Sequence, residues 1–336
     1  MTRCNENNFK IFVYNRPNMI KSQIYKNILS SLKNSKYLTR NPKRACIFIS
    51  SIDTLDRDRL SKNYIHDLDD LVTKLNYWNN GENHLIFNMY SGSWPDYKED
   101  LEFKTEKAIL VKASFSQMYY RKSFDISFPL FHADIPIKNS KFTNLTDLIY
   151  GPKKYFLTFK GKRYLHGVGS KTRDKLYHLN NNRDIILLTT CRHGDIWFNF
   201  KDDRCDLDDS MYDKYDYSDL LNNSIFCLIP RGRRLGTYRF LEALKVGCIP
   251  VLLSDSWVLP FSEVIDWNKA VVWGKESEIT QLTSYLREIK EEDIIRMKKY
   301  SFYFYNKYFS SIDKIVNTTI HILIKRIRQF KILNDR

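Results

Sequence analysis

"IPRGRRLGTYRFLEALKVGCIPVLLSD", residues 229–255, decides the fold. It reads as the end of an apolar strand, a loop containing Gly232 and Gly236, a helix over 238–247, and a second apolar strand over 248–255. Short apolar runs that alternate with helical ones are the signature of βαβ units and a mostly parallel sheet. The loop also gathers Arg231, Arg233, Arg234 and Arg239, and the helix carries one glutamate, Glu242, beside apolar neighbours.

The alternation continues outward. Before this stretch lie strand-like 154–163, helix-like 170–179, strand-like 184–190, helix-like 215–223 and strand-like 224–230; after it come a strand over 268–275 and helical periodicity from Glu276, ending in 314–330. A polar segment, 132–151, has no core pattern and separates an earlier set. That set comprises strands over 10–15, 45–51, 83–90, 107–114 and 125–131, with helices over 21–35 and 65–78. On the second helix Leu68, Leu71, Leu75 and Trp78 share one face. The sequence therefore predicts two doubly wound α/β halves, residues 1–150 and 151–310, then a C-terminal helix over 311–336. Its ligand cleft lies between the halves, beside the carboxyl ends of the strands.

Composition supports two cores. The 336 residues are 43% hydrophobic and 15% aromatic, more than one core usually holds. Lys+Arg 54 against Asp+Glu 39 gives a net charge of +15, which favours anionic partners: phosphates, sugar acids, nucleic acid or anionic lipid. No apolar run reaches the roughly 20 residues of a membrane span, and the start shows no secretory signal. Six cysteines are too few for a disulfide scaffold. Cys46, Cys227 and Cys248 sit in strand-like runs and are expected to be buried thiols. Cys191 and Cys205 bracket a polar loop and are expected to form a disulfide there, worth up to roughly 3 kcal/mol in an oxidising compartment. Asn144, Asn222 and Asn317 begin N-x-[ST] triplets, which point the same way.

The arginine loop has two readings. In one it is a nucleotide-diphosphate socket: unpaired amides of a helix opening near Thr237 and the four arginines hold the phosphates, the two glycines let backbone approach, and Glu242 accepts hydrogen bonds from a ribose. In the other, Arg239 and Glu242 form an i,i+3 salt bridge behind a merely basic loop. Neither GxxxxGK[ST] nor GxGxxG is present. Three Asp-x-Asp triplets, Asp56/Asp58, Asp67/Asp69 and Asp206/Asp208, read as solvated or capping groups rather than a manganese site. Cys191, His193 and Cys205 match no common zinc spacing, so no metal is expected. His84 reads as a structural histidine. Trp78, Trp94, Trp197, Trp257 and Trp267 include candidate sugar-stacking surfaces. A nucleic-acid module would need a continuous basic face, whereas arginine here concentrates at one strand–helix junction.

"FCLIPRGRRLGTYRFLEALKVGCIPVLLSDSWVLPFSEVIDW" resembles the donor-binding segment of the exostosin glycosyltransferases (GT47 type), which build heparan sulfate. "SIDTLDRDRLS", "WNNGENHLIFNMYSGSWPDY", "FDISFPLF", "FKGKRYLHGVGSKTRDKLYH" and "LLTTCRHGDIW" are also similar, so the resemblance covers nearly the whole chain, and is strongest to the family's N-terminal glucuronosyltransferase domain. It implies a GT-B fold of two facing Rossmann-like domains, with UDP-glucuronic acid in the second and a heparan or heparosan acceptor in the cleft. Mapped by position, Arg233 and Arg239 would meet the diphosphate, Glu242 the ribose, and Arg173 a phosphate or the sugar carboxylate, while Arg231 remains a substrate-binding candidate from the charge of the loop. Transfer would proceed with inversion and without a metal, from an acceptor hydroxyl activated by a carboxylate. Asp96, in "GSWPDY", is the first candidate base and Asp53 the second. The family implies a Golgi or endoplasmic reticulum lumen and a second exostosin subunit. The sequence shows neither the membrane anchor nor the second transferase domain of full exostosins, so an accessory subunit that activates a partner is the alternative.

Overall fold

Ten apolar runs of the chain pair in parallel to form two five-stranded sheets. They are seen in a computed structural model describing residues 4–15, 19, 21–57, 64–98, 101–132, 145–167, 169 and 171–334. The first sheet comprises β1 (Ile11–Val13), β2 (Ile47–Ile49), β3 (His84–Asn88), β4 (Ile109–Lys112) and β5 (Ile126–Ser127), ordered as in the chain. The second comprises β6 (Tyr155–Lys162), β7 (Ile185–Thr190), β8 (Ser224–Pro230), β9 (Ile249–Leu253) and β10 (Val272–Trp273), in the order β10-β9-β8-β6-β7. Only the second order reverses. The chain leaves β6 for β7 on one side and returns to β8 on the other, which makes the β6/β8 junction a topological switch point.

Nine helices are described: α1 (Gln23–Lys33), α2 (Leu68–Thr73), α3 (Leu145–Tyr150), α4 (Cys205–Asp213), α5 (Tyr217–Asn222), α6 (Arg239–Lys245), α7 (Leu282–Arg287), α8 (Glu291–Phe304) and α9 (Ile312–Asn334). Ser22 caps α1 by accepting the Tyr25 amide at 3.2 Å, and Ile24, Ile28 and Leu32 form its buried stripe against Ile47 and Ile49. On the opposite face of the sheet α2 packs Leu68 and Val72 with Ile86 and Leu110. β7, β8 and β9 are almost wholly buried, which explains their unbroken apolar sequences.

Several expected elements differ. Residues 171–179 form a 3-10 helix, and α4 occupies a stretch with no predicted helix. α4 is polar outside Cys205, Leu207, Met211 and Tyr212, and Leu207 is exposed, so hydrophobic periodicity carries little trace of it. The helical C-terminal region is broken into a 3-10 turn at 276–281, α7, α8, a π-helical turn at Tyr305–Phe309, and α9.

The six cysteines correct the expectation of buried thiols. All are paired, as Cys4–Cys46, Cys191–Cys205 and Cys227–Cys248. Cys227 on β8 and Cys248 at the start of β9 lie on adjacent strands with Cα atoms 5.8 Å apart, within bonding range. That proximity exists only once the strands pair. Asn222 and Asn317 are exposed, while Asn144 lies outside the described residues.

The sheets face one another at their carboxyl ends. Segments following β3 and β4 bond directly to loops following β8 and β9: Trp94 N donates to Arg233 O at 2.7 Å, Gly236 N to Ser114 Oγ at 3.1 Å, Gln117 N to Ser256 O at 2.8 Å and Val258 N to Phe115 O at 2.9 Å. One apolar core runs through this junction from Ile49 and Phe87 by way of Phe128 to Phe261, Trp257 and Phe240. Two parallel-sheet α/β domains meeting in this way have the GT-B architecture.

Candidate active site

The switch point is occupied by arginine. Arg173, 7% exposed and set on the 3-10 helix after β6, donates to Lys162 O at 3.0 Å, Arg231 O at 3.2 Å and Pro230 O at 3.3 Å. It thus ties the ends of β6 and β8 together. Arg239, the first residue of α6, donates to Lys160 O, also on β6. Both guanidiniums lie against the Phe159 ring, at 5.4 and 4.5 Å from its centroid. All these acceptors are neutral carbonyls. Burial first, and then the Arg239 charge, lower the Arg173 pKa from the ordinary arginine value, with Tyr164 opposing them. Two adjacent cations without a carboxylate between them form an electrostatic socket for an anion.

Around this pair the other predicted residues fall into place unevenly. Glu242 accepts a hydrogen bond from Tyr217 Oη, and no ion pair joins it to Arg239 among the described residues, so the i,i+3 salt bridge does not form. Burial, with Glu242 adding to it, raises the Tyr217 pKa. Arg231 pairs with Glu276 at 2.7 Å and stands 5.0 Å from the Tyr97 ring. Arg233 lies in the same loop, its carbonyl bonded to Trp94. The helix opens near Thr237 as expected, its first backbone bonds accepted by Thr237 and Tyr238, and its regular part from Arg239 is only seven residues long. Gly232 has a task inside the protein: a Cβ there would lie 2.8 Å from both Arg173 Nη2 and Tyr164 Oη, so the missing side chain makes room for Arg173. At Gly236 a Cβ would meet Ser114 Oγ at 2.5 Å, so that glycine admits the opposing domain.

The first domain contributes a tight turn. Trp94 to Tyr97 leans on the arginine loop through the Trp94–Arg233 bond and a 3.3 Å bond from Tyr97 Oη to Gly232 O. Asp96 sits exposed on this turn, with Oδ1 accepting the Lys98 amide at 3.0 Å. Asp53 is placed otherwise. It is 6% exposed, and its two oxygens accept the Ser22 amide at 2.7 Å and the Leu55 amide at 3.0 Å, which gives it a structural task at the start of α1. Sequence reasoning missed Glu276, which accepts Thr172 Oγ1 at 2.5 Å and the Asp255 amide at 2.8 Å while holding Arg231. With Lys171, Lys175 and Ser277 it lines a recess of about 280 Å³ beside the arginines. A larger recess, about 1190 Å³, lies elsewhere, between α9 and residues 257–273.

Residues 5–289 match the Exostosin GT47 domain. The chain belongs to the exostosin family. Exostosin-1a of Danio rerio is 50% identical over 328 residues, covering 97% of this chain and 45% of that protein. Exostosin-1 of Drosophila melanogaster is 49% identical over 310 residues, covering 92% and 41%. The chain spans less than half the length of these curated relatives. A glycosyltransferase structure from Rickettsia africae is matched over 96% of this chain and 99% of its own, at 11% identity and a TM-score of 0.42.

Within this exostosin domain most of the remaining candidates have structural partners, although Asp67 makes no side-chain cap bond to α2. Asp67 precedes α2, and Asp69 accepts the Lys104 amide at 2.8 Å. Asp206 pairs with Lys201, and Asp208 with Arg163 and Arg204. Asp58 lies outside the described residues. Cys191, Cys205 and Asp202 cluster tightly, but the two sulfurs are bonded to each other, and Arg163 holds Asp202 at 2.7 Å. His84 is fully buried between Tyr14 Oη at 3.1 Å and Glu82 O at 2.9 Å. Trp78, Trp257 and Trp267 are core residues, while Trp94 and Trp197 are partly exposed.

Proposed function

We propose that this domain transfers glucuronic acid from UDP-glucuronic acid to a growing heparan-type chain, with inversion, in concert with a second exostosin subunit. The reading rests on the Arg173–Arg239 pair: two cations at the switch point that donate to the neutral carbonyls of Lys162, Pro230 and Lys160, with no carboxylate paired to either among the described residues. A pyrophosphate placed there would compensate both charges, with Arg233 and Arg231 beside it. As the sugar–phosphate bond breaks, negative charge grows on the leaving UDP, and preorganised guanidiniums stabilise that charge without a metal. Glu242, with Tyr217, would hold the ribose. Asp96 is the proposed general base because it stands exposed on the turn that meets the arginine loop. The secretory lumen suits a chain with three disulfides. No described helix is long and apolar enough to cross a membrane.

Titration of UDP-glucuronic acid into the chain, with UDP-N-acetylglucosamine as competitor, tests the donor. Arg239→Ala and Arg233→Ala should each cut transfer by about 100-fold or more, the usual scale for removing a charge-stabilising group. Transfer that survives both changes would remove the socket mechanism. Rescue of a partner exostosin by an Arg233→Ala/Glu242→Ala chain would instead indicate an accessory role.

A further inference from the structure

The loop between β7 and α4 carries a feature that the donor site does not use. Ile196, Phe198 and Phe200 are 52%, 60% and 46% exposed, yet their loop is firmly fixed. The Cys191–Cys205 disulfide closes its base, and Arg163 braces it by donating to Asp202 at 2.7 and 2.8 Å. Phe200 stacks on His166 with centroids 4.3 Å apart and planes 11° from parallel. Ring contacts then lead inward: His166 to His193 at 5.7 Å, His193 to Tyr164 at 4.7 Å, and Tyr164 to the Arg173 guanidinium at 5.1 Å. The aromatic surface is therefore continuous with the arginine socket.

Its electrostatics are also one-sided. Burial, then Lys162, His166, Arg233 and Arg173, lower the His193 pKa from its ordinary value. Most cations around the loop are taken by carboxylates: Arg192 by Asp213, Lys201 by Asp206 and Arg204 by Asp174. Lys162 is exposed at the end of β6 and has no ion-pair partner among the described residues.

We propose that this shelf is a binding subsite for an anionic saccharide, the acceptor chain on its way to the donor site. The apolar faces of its pyranose rings would stack on Phe198 and Phe200, and Lys162 would pair with a uronate carboxylate. The inference rests on the transferase reading for the ligand's identity. Rigid, exposed rings cost little entropy on binding, and their continuity with the socket favours the ligand that must reach it.

The test uses the full 336-residue chain with two probes, a heparosan oligosaccharide and UDP. Phe198→Ala/Phe200→Ala should weaken the oligosaccharide about tenfold while UDP affinity and melting temperature stay unchanged. Phe198→Trp/Phe200→Trp should retain oligosaccharide binding. Lys162→Gln should weaken the native oligosaccharide but not its carboxyl-reduced form. Three results would overturn the shelf: undiminished oligosaccharide binding by the double alanine variant, no oligosaccharide binding by the unaltered chain that binds UDP, or loss of self-association in place of loss of sugar. Oligosaccharide binding that depends on the phenylalanines in a chain that does not bind UDP would uphold the shelf and remove the donor reading.

Discussion

Glu242 and His84 show how a charged or titratable side chain acquires its task from its neighbours. Glu242 is half-buried and already accepts from Tyr217, which fixes one oxygen and leaves the other available to a ribose. Glu242→Ala should weaken UDP binding by about tenfold, the equivalent of one hydrogen bond to a charged group, with little change in melting temperature. Equal UDP affinity in calorimetry would dissociate this residue from the nucleotide. His84 works on stability. Burial lowers its pKa to about 4, against the ordinary histidine value of about 6.5 that the unfolded chain retains. Between those values the unfolded state binds a proton that the folded state refuses, so stability falls as pH drops from about 6.5 to about 4, by at most about 3 kcal/mol. His84→Gln, which can keep the Tyr14 bond, should flatten the urea midpoint against pH across that window. An unchanged acid limb would show that other groups control it.

The 192–204 loop illustrates what can be read at the scale of an element. Its disulfide was legible because two cysteines flank a polar stretch at short separation, and the structure pairs them. Cys227–Cys248 was not legible, since adjacent apolar runs show which residues are buried but not which strands lie side by side. The same limit hid Glu276, whose partners Thr172, Arg231 and Asp255 come from three separate segments of the chain. By contrast the arginine loop was legible, because strand, glycines, arginines and helix are contiguous. Replacing both Cys191 and Cys205 by serine should lower unfolding free energy by about 3 kcal/mol, as expected for releasing a loop of roughly 15 residues. Denaturant titration reads it directly, and an unaltered midpoint would mean that the Arg163–Asp202–Asp208 ion network holds the loop without the covalent link.

At the scale of the molecule the two sheets act as one body because the C-terminal helix returns to the first. α9 follows the second half in sequence, yet it lies along α1 and buries Ile315, Val316, Ile320 and Leu323 in the core shared by both. Arg326 on this helix donates to Glu263 in the second domain and to the carbonyls of Phe124 and, at 2.6 Å, Asp125 in the first. Its side chain is 14% exposed and that of Glu263 25%, so solvent screens the pair only in part. Removing the arginine strands one carboxylate and two carbonyls at the domain junction. Arg326→Ala should therefore destabilise the chain by about 1–3 kcal/mol, less than a fully buried pair would lose. Thermal unfolding should remain a single transition, because the apolar core still links the halves. Two resolved transitions in calorimetry would show instead that Arg326, and not the core, makes the domains cooperate.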